Sequence, residues 1–237
     1  MSLLQLHSIS KHFGGLAANQ DVSFNVDAGQ IVGLIGPNGA GKTTTFNCVA
    51  GYYAPSAGSI TLDGRTISGL APEACARAGI GRTFQVARTF TSMTACENVL
   101  SAALLHHKRV VAARDQALAW LAFVGLERLA ERPAGSLTIS EQRRMAVARA
   151  LAIEPRVLLM DEVMAGLNPS EVRDMVAVVL KIRDRGIACL VVEHVLEGIM
   201  PIADRIVVLE RGVKIADGTP TEVSNDPLVI CAYLGDE

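Results

Sequence analysis

The chain has 237 residues, half of them apolar and only 4% aromatic, enough to bury a sizeable core of Val, Ile, Leu, Ala and Met. A formal net charge of −2 removes any electrostatic case for nucleic acid as a partner. Mean hydropathy is high at +0.32, yet the longest apolar stretch, about Ala117 to Leu126, is far short of the roughly 18–20 residues that cross a bilayer, and nothing near Met1 reads as a leader.

From the start to about Arg65 the pattern is antiparallel strands around a Gly-rich loop. Ile31-Val32-Gly33-Leu34-Ile35 reads as a buried strand, and Thr44 to Ala50 can start a helix. Between them, Gly36-Pro37-Asn38-Gly39-Ala40-Gly41-Lys42-Thr43-Thr44 has two glycines separated by four residues, then Lys, then Thr. In that strand–loop–helix setting the amides from Gly36 through Asn38, Gly39, Ala40 and Gly41 to Thr44 converge on an anion at the positive end of a helix. Lys42 is expected to reach the β- and γ-phosphates of a nucleotide and the Thr43 hydroxyl to ligate Mg²⁺. The competing reading is an ordinary Gly-rich turn. The five cysteines (Cys48, Cys75, Cys96, Cys189, Cys231) are widely spaced and odd in number, which reads as small core residues in a reducing, cytosolic compartment.

Residues from about Thr89 to Ala152 carry little strand signal and much helical signal, with helices expected over Glu97 to His107 and Val110 to Val124. Arg128 to Ser136, containing Pro133 and Gly135, reads as a turn region. Thr138 and Glu141 stand in capping-box spacing, so a further helix is expected from Thr138. Val157-Leu158-Leu159-Met160-Asp161-Glu162 is an apolar strand ending in two carboxylates. An acid at the carboxyl end of a parallel strand beside the phosphate loop is placed to hold Mg²⁺, the role expected of Asp161; Glu162, facing differently, is placed to polarise an attacking water. The stretch between Lys42 and Asp161 is too long for one crossover, so an additional lobe lies between them. Asn168-Pro169-Ser170-Glu171 supplies a helix start with Asn at the N-cap, Pro at N1 and Glu at N3, and the helix ends near Gly186. A strand follows from Ile187 to Val192, then His194 with Glu193 as its carboxylate neighbour, and a hairpin turning at Arg211-Gly212 to which no chemistry is assigned.

Taken together these motifs resemble the ATPase subunit of an ABC transporter, nearly end to end. Leu137 to Arg144 occupies the place of the family signature, usually written LSGGQ, and Gln85 in Gly81-Arg82-Thr83-Phe84-Gln85 that of the Q-loop glutamine. Gly166-Leu167-Asn168-Pro169 matches the D-loop, His194 the switch histidine, and Phe13 the aromatic that stacks on adenine. The resemblance implies an α/β P-loop NTPase of ABC type with an antiparallel β subdomain. It implies a single domain over 1–237, its catalytic core at about 1–87 and 153–237, and an inserted helical subdomain at about 88–152 that carries the signature. It implies ATP hydrolysis with Mg²⁺ at Thr43, Asp161 and Gln85, and Lys42, Gln85, Glu162 and His194 as the catalytic set. A second ABC ATPase would be completed by the signature residues Thr138 and Ser140. A transmembrane permease would dock near Gln85 and the helical lobe, and a solute-binding protein would act indirectly. The chain is then expected to sit peripherally on the cytoplasmic face of the inner membrane. Asn168 in the D-loop, Val192-Glu193-His194 and the ending from Asp226-Pro227-Leu228 to Ala232-Tyr233-Leu234-Gly235 resemble the ATPases of branched-chain amino-acid importers. The competing readings are a nucleotide-sensing regulatory subunit with weak hydrolysis and a soluble ABC ATPase of translation or DNA repair. The signature departs from the family in having Ile139 and Ser140 in place of glycines, so an asymmetric heterodimer with one weaker site is expected.

Overall fold

The alternation of apolar and polar side chains at the start of the chain produces two long strands. β1 (Ser2–Phe13) buries Leu4, Leu6 and Ile9 and pairs antiparallel with β2 (Leu16–Asp27), which buries Val22, Phe24 and Val26. The structure, a computed structural model, describes residues 2–83 and 89–234. β3 (Ile31–Ile35) is buried at every position, as a strand covered on both faces must be. It leads through the Gly-rich loop into α1 (Lys42–Val49). β4 (Ala57–Leu62) and β5 (Arg65–Thr66) return to the first sheet, whose order is β2-β1-β4-β5.

After α2 (Pro72–Ala78) and β6 (Ile80–Arg82) come α3 (Ala95–Ala103), α4 (Val110–Phe123), two short 3-10 turns at Glu127–Leu129 and Ala134–Ser136, and α5 (Ile139–Leu151). The chain then alternates through β7 (Val157–Asp161), α6 (Pro169–Asp184), β8 (Ala188–Val192), α7 (Leu196–Ile199), β9 (Arg205–Glu210) and β10 (Val213–Gly218), and finishes in α8 (Pro220–Ser224) and α9 (Pro227–Leu234). The six-stranded sheet has the order β10-β9-β3-β8-β7-β6; β6, β7, β8, β3 and β9 run parallel and β10 closes the edge antiparallel. Alternate residues of β3 serve two cores. Val32 and Leu34 pack with the antiparallel sheet and α1, and Ile31 and Ile35 with the core that takes in α3, α4, α5 and α6.

Parallel pairing puts Leu34, Val192 and Asp161 in line across β3, β8 and β7, so the loops leaving these strands emerge side by side. That is the crevice at strand carboxyl ends where open α/β sheets hold ligands. α3 begins earlier and ends earlier than expected, because Thr94 and Glu97 close a reciprocal capping box that starts the helix at Ala95. The boxes at Thr138–Glu141 and Asn168–Glu171 form as expected. Four cysteines are buried and Cys231 is exposed. No helix among the described residues is long and apolar enough to cross a membrane.

Candidate nucleotide site

The loop after β3 takes its shape from backbone that only glycine tolerates. Gly36, Gly39 and Gly41 have φ of +145°, +81° and +97°. A Cβ at Gly36 would lie 2.0 Å from the Leu209 carbonyl oxygen, and one at Gly41 would come within 2.6 Å of the Ala18 carbonyl oxygen. Asn19, fully buried on β2, braces the turn by donating from Nδ2 to Gly41 O (3.3 Å) and Thr45 Oγ1 (3.2 Å). The hairpin turn also supports the loop, its Gly212 amide donating to Ala40 O (3.1 Å), and Arg211 borders the same cleft. The Arg211-Gly212 turn thus has a place at the site that its sequence did not signal.

The first bond of α1 runs from Thr45 N–H to Gly41 O (2.9 Å), which leaves the amides of Lys42, Thr43 and Thr44 outside the helical ladder at the positive end of the helix dipole. Lys42 Nζ donates to the carbonyls of Gly36 (2.7 Å) and Pro37 (2.9 Å), so the ammonium lies over the loop. Burial lowers its pKa, while the charges of Glu162 and Asp161 oppose that shift.

Asp161 ends β7, almost fully buried. Its amide donates to Thr83 Oγ1 (3.1 Å), and its Oδ2 accepts from the Arg82 guanidinium (3.2 Å). Burial raises its pKa, the adjacent Arg82 lowers it, and Glu162 raises it. Glu162 has φ of +50°, in the left-handed region. Its Oε1 lies 3.2 Å from His194 Nε2, and its carbonyl accepts from Arg143 (2.6 Å), two residues past the α5 capping box.

Glu193 does not face His194. It is buried, and its Oε1 accepts the Met164 amide (2.7 Å). The carboxylate next to His194 is Glu162. Neighbours in an extended chain point to opposite sides, so sequence adjacency was a poor guide to pairing here. Burial pushes the Glu193 carboxyl up to about 7, against the hydrogen bonds from the Met164, Val195 and His194 amides.

A cleft of about 560 Å³ joins these parts, with Phe13 and the end of β1 on one side, Asn38 to Thr44 along its floor, and Glu162 and His194 beyond. Phe13 is exposed and packs edge-on against Tyr53, with centroids 5.1 Å apart, beneath the Lys11 ammonium. Thr138 and Ile139 are exposed at the α5 N-terminus, whereas Ser140 is buried. The Glu141 carboxylate turns back to the Thr138 amide (2.8 Å). Gln85 lies outside the described residues. Arg82, Asn19 and Arg143 were not singled out from sequence; Arg82 and Arg143 lie inside quoted motifs, but their partners come from distant elements.

A family model described as "ABC transporter" matches residues 19–165, from early in β2 past Glu162. The chain belongs to the ABC transporter ATPases. A second model, described as "Branched-chain amino acid ATP-binding cassette transporter", matches residues 213–237. The high-affinity branched-chain amino acid transport ATP-binding protein BraF of Pseudomonas aeruginosa is 42% identical, over 99% of this chain and 98% of that protein. Among solved structures, the ADP conformation of MJ1267, an ATP-binding cassette of an ABC transporter, superposes over the whole of both chains with a TM-score of 0.91 at 30% identity. A dimeric post-hydrolysis state of the cassette MJ0796 with ADP and Pi superposes at 0.83 and 25% identity, over 92% of this chain and 99% of that one. Cassettes of this family therefore bind nucleotide and dimerise, and this chain is an ATPase of that kind.

Proposed function

We propose that this chain is the ATP-hydrolysing motor of an importer for branched-chain amino acids. The observation that carries the reading is its 42% identity, across virtually the whole chain, to a branched-chain amino-acid transport cassette. The C-terminal match over 213–237 supports it independently of the phosphate loop. With no membrane-crossing helix among the described residues, the motor works through separate permease subunits, as a peripheral protein on the cytoplasmic face of the membrane. A second cassette and, indirectly, a solute-binding protein complete the machine.

Mg²⁺ suits the donors. The Thr43 hydroxyl and the Asp161 carboxylate are hard oxygens, and no cluster of His, Cys, Asp or Glu among the described residues would hold a metal without the nucleotide's phosphates. When bound, Mg²⁺ neutralises the β- and γ-phosphate oxygens. The chain's own groups do the rest. Phe13 stacks on the base, and amides from Gly36 to Thr44 hold the phosphates. Lys42 leaves the Gly36 and Pro37 carbonyls for the β- and γ-phosphates. Glu162 takes hydrogen bonds from the water that attacks the γ-phosphorus in line, and His194, already 3.2 Å from Glu162, orients that water and the γ-phosphate. By its resemblance to the family's Q-loop glutamine, Gln85 belongs to the same set. The test is to purify the chain with its native partners, reconstitute the complex, and measure ATP-driven uptake of leucine, isoleucine and valine. Uptake that is abolished by Lys42→Ala supports the reading. ATP hydrolysis with no uptake of any branched-chain amino acid by an otherwise active complex overturns the substrate.

A further inference from the structure

The Gly81-Arg82-Thr83 run has a charge that the proposed hydrolysis does not use. Arg82 is the last residue of β6, beside Leu159 of β7, and its guanidinium is largely buried. It forks between two elements of the site. One arm donates to Asp161 Oδ2 at 3.2 Å, and the other to Asn47 Oδ1 on α1 at 2.6 Å. Its guanidinium carbon also lies 5.3 Å from the centre of the Tyr52 ring, just beyond the end of α1. A planar cation held by hydrogen bonds to Asp161 and Asn47 and by a ring face is a fixed charge, not a wandering surface arginine.

Its partner is the carboxylate that the preceding section assigns to Mg²⁺. Asp161 is nearly buried, with Glu162 next to it in sequence, and such a carboxylate needs a counter-charge. Arg82 supplies one from the protein itself. A cation resting on one oxygen of a metal ligand does two opposing things: it holds the carboxylate in place, and it repels a second cation that must share it.

We propose that Arg82 is a positioning residue that holds Asp161 as an internal counter-ion and competes with Mg²⁺ for it, setting how much Mg²⁺ the nucleotide site requires. This rests on the reading of Asp161 as the Mg²⁺ ligand. Because Arg82 also grips Asn47 of the phosphate-loop helix, relief of the Asp161 contact leaves the guanidinium anchored and able to return. Arg82 lies three residues before Gln85, so the counter-ion stands on the strand that leads into the Q-loop position.

The experiment is a Mg²⁺ titration of the binding of a fluorescent ATP analogue to the purified full-length chain, with turnover playing no part in the readout. Arg82→Gln removes the charge and should lower the half-saturating Mg²⁺ by about three- to tenfold. Arg82→Lys keeps the charge but cannot fork to both partners, so its half-saturation should fall between wild type and Arg82→Gln. A guanidinium that merely braced the sheet would, when lost, leave the Mg²⁺ requirement unchanged or raise it. An unchanged or raised half-saturation in Arg82→Gln overturns the proposal. If that variant does not fold, Arg82→Lys decides in the same sense, a value at or above wild type being the refutation. Asp161→Asn is the control on the underlying reading. If it leaves the Mg²⁺ dependence as in wild type, Asp161 is not the ligand and the premise fails; if it weakens the dependence while both Arg82 variants do not lower it, only the role of Arg82 fails.

Discussion

Glu193 is a carboxylate in an expensive place. It is fully buried between β8 and the segment after β7, where its Oε1 takes the Met164 amide. Burial is the main reason its pKa rises to about 7 from an ordinary 4.5; the Met164, Val195 and His194 amides and then the Arg143 charge pull it back. The direction of the stability change follows from proton counting. Between about pH 4.5 and 7 the folded protein keeps a proton on Glu193 that the unfolded chain has released, so stability falls as pH rises through that window. Below the window both states are protonated and nothing is lost. Above it the folded state carries a buried anion, at a cost of roughly 3 kcal/mol at ~1.4 kcal/mol per pH unit. Glu193→Gln keeps an acceptor for the Met164 amide and cannot ionise. Denaturant unfolding of both proteins at pH 5 and pH 8 gives the quantity of interest, the change in their stability difference. Other titrating groups are common to both proteins and cancel. The variant should gain roughly 2 to 3 kcal/mol on wild type between the two pH values. Stability profiles that stay parallel to within about 0.5 kcal/mol would refute the reasoning, because the carboxyl would then ionise equally easily folded and unfolded.

At the reacting end, Glu162→Gln should keep ATP binding while turnover falls by about 10² to 10⁴, the usual loss with a general base; wild-type-like turnover in a clean preparation rules out that role for Glu162. Phe13→Ala should weaken ATP binding by roughly 1 to 3 kcal/mol in a direct titration, with Phe13→Tyr nearly silent. A lower melting temperature with unchanged affinity would instead assign the ring to its packing against Tyr53. In the signature, Ile139 is the side chain that projects from the helix start, so Ile139→Gly together with Ser140→Gly should raise ATPase activity in the assembled complex, and losing Lys42 should cost more transport than losing the partner cassette's equivalent lysine. Equal losses from the two lysine variants, with no gain from the glycines, would make the altered signature a harmless variant.

What could be read from the sequence was what is written within a few residues. The phosphate loop is readable because its chemistry needs glycine, lysine and threonine in one contiguous turn, and Gly36 and Gly41 do occupy backbone that a Cβ would obstruct. The capping boxes at Thr138 and Asn168 are readable for the same reason, since their partners stand three residues on. Thr94 and Glu97 show the same spacing, and the box they close starts α3 two residues ahead of the helical pattern that opens at Glu97. The groups that tune the site were not readable. Arg82 meets Asp161, Arg143 meets the Glu162 carbonyl and Asn19 meets Gly41 only because the strand order β3-β8-β7-β6 and the packing of β2 over α1 bring them together. No local pattern encodes that order. Glu193 lies between these cases. Its closeness to His194 was evident, yet the period-two geometry of an extended chain argued that the two side chains diverge, and the structure turns one into the core and the other toward Glu162. The consequence is chemical. Local motifs supply the groups proposed to touch phosphate and water, and long-range pairs such as Arg82–Asp161 and Arg143–Glu162 come to them from distant elements. Two proteins with identical motifs can therefore differ in Mg²⁺ requirement and pH response through residues such as Arg82 and Glu193, whose own neighbours in sequence give no sign of it.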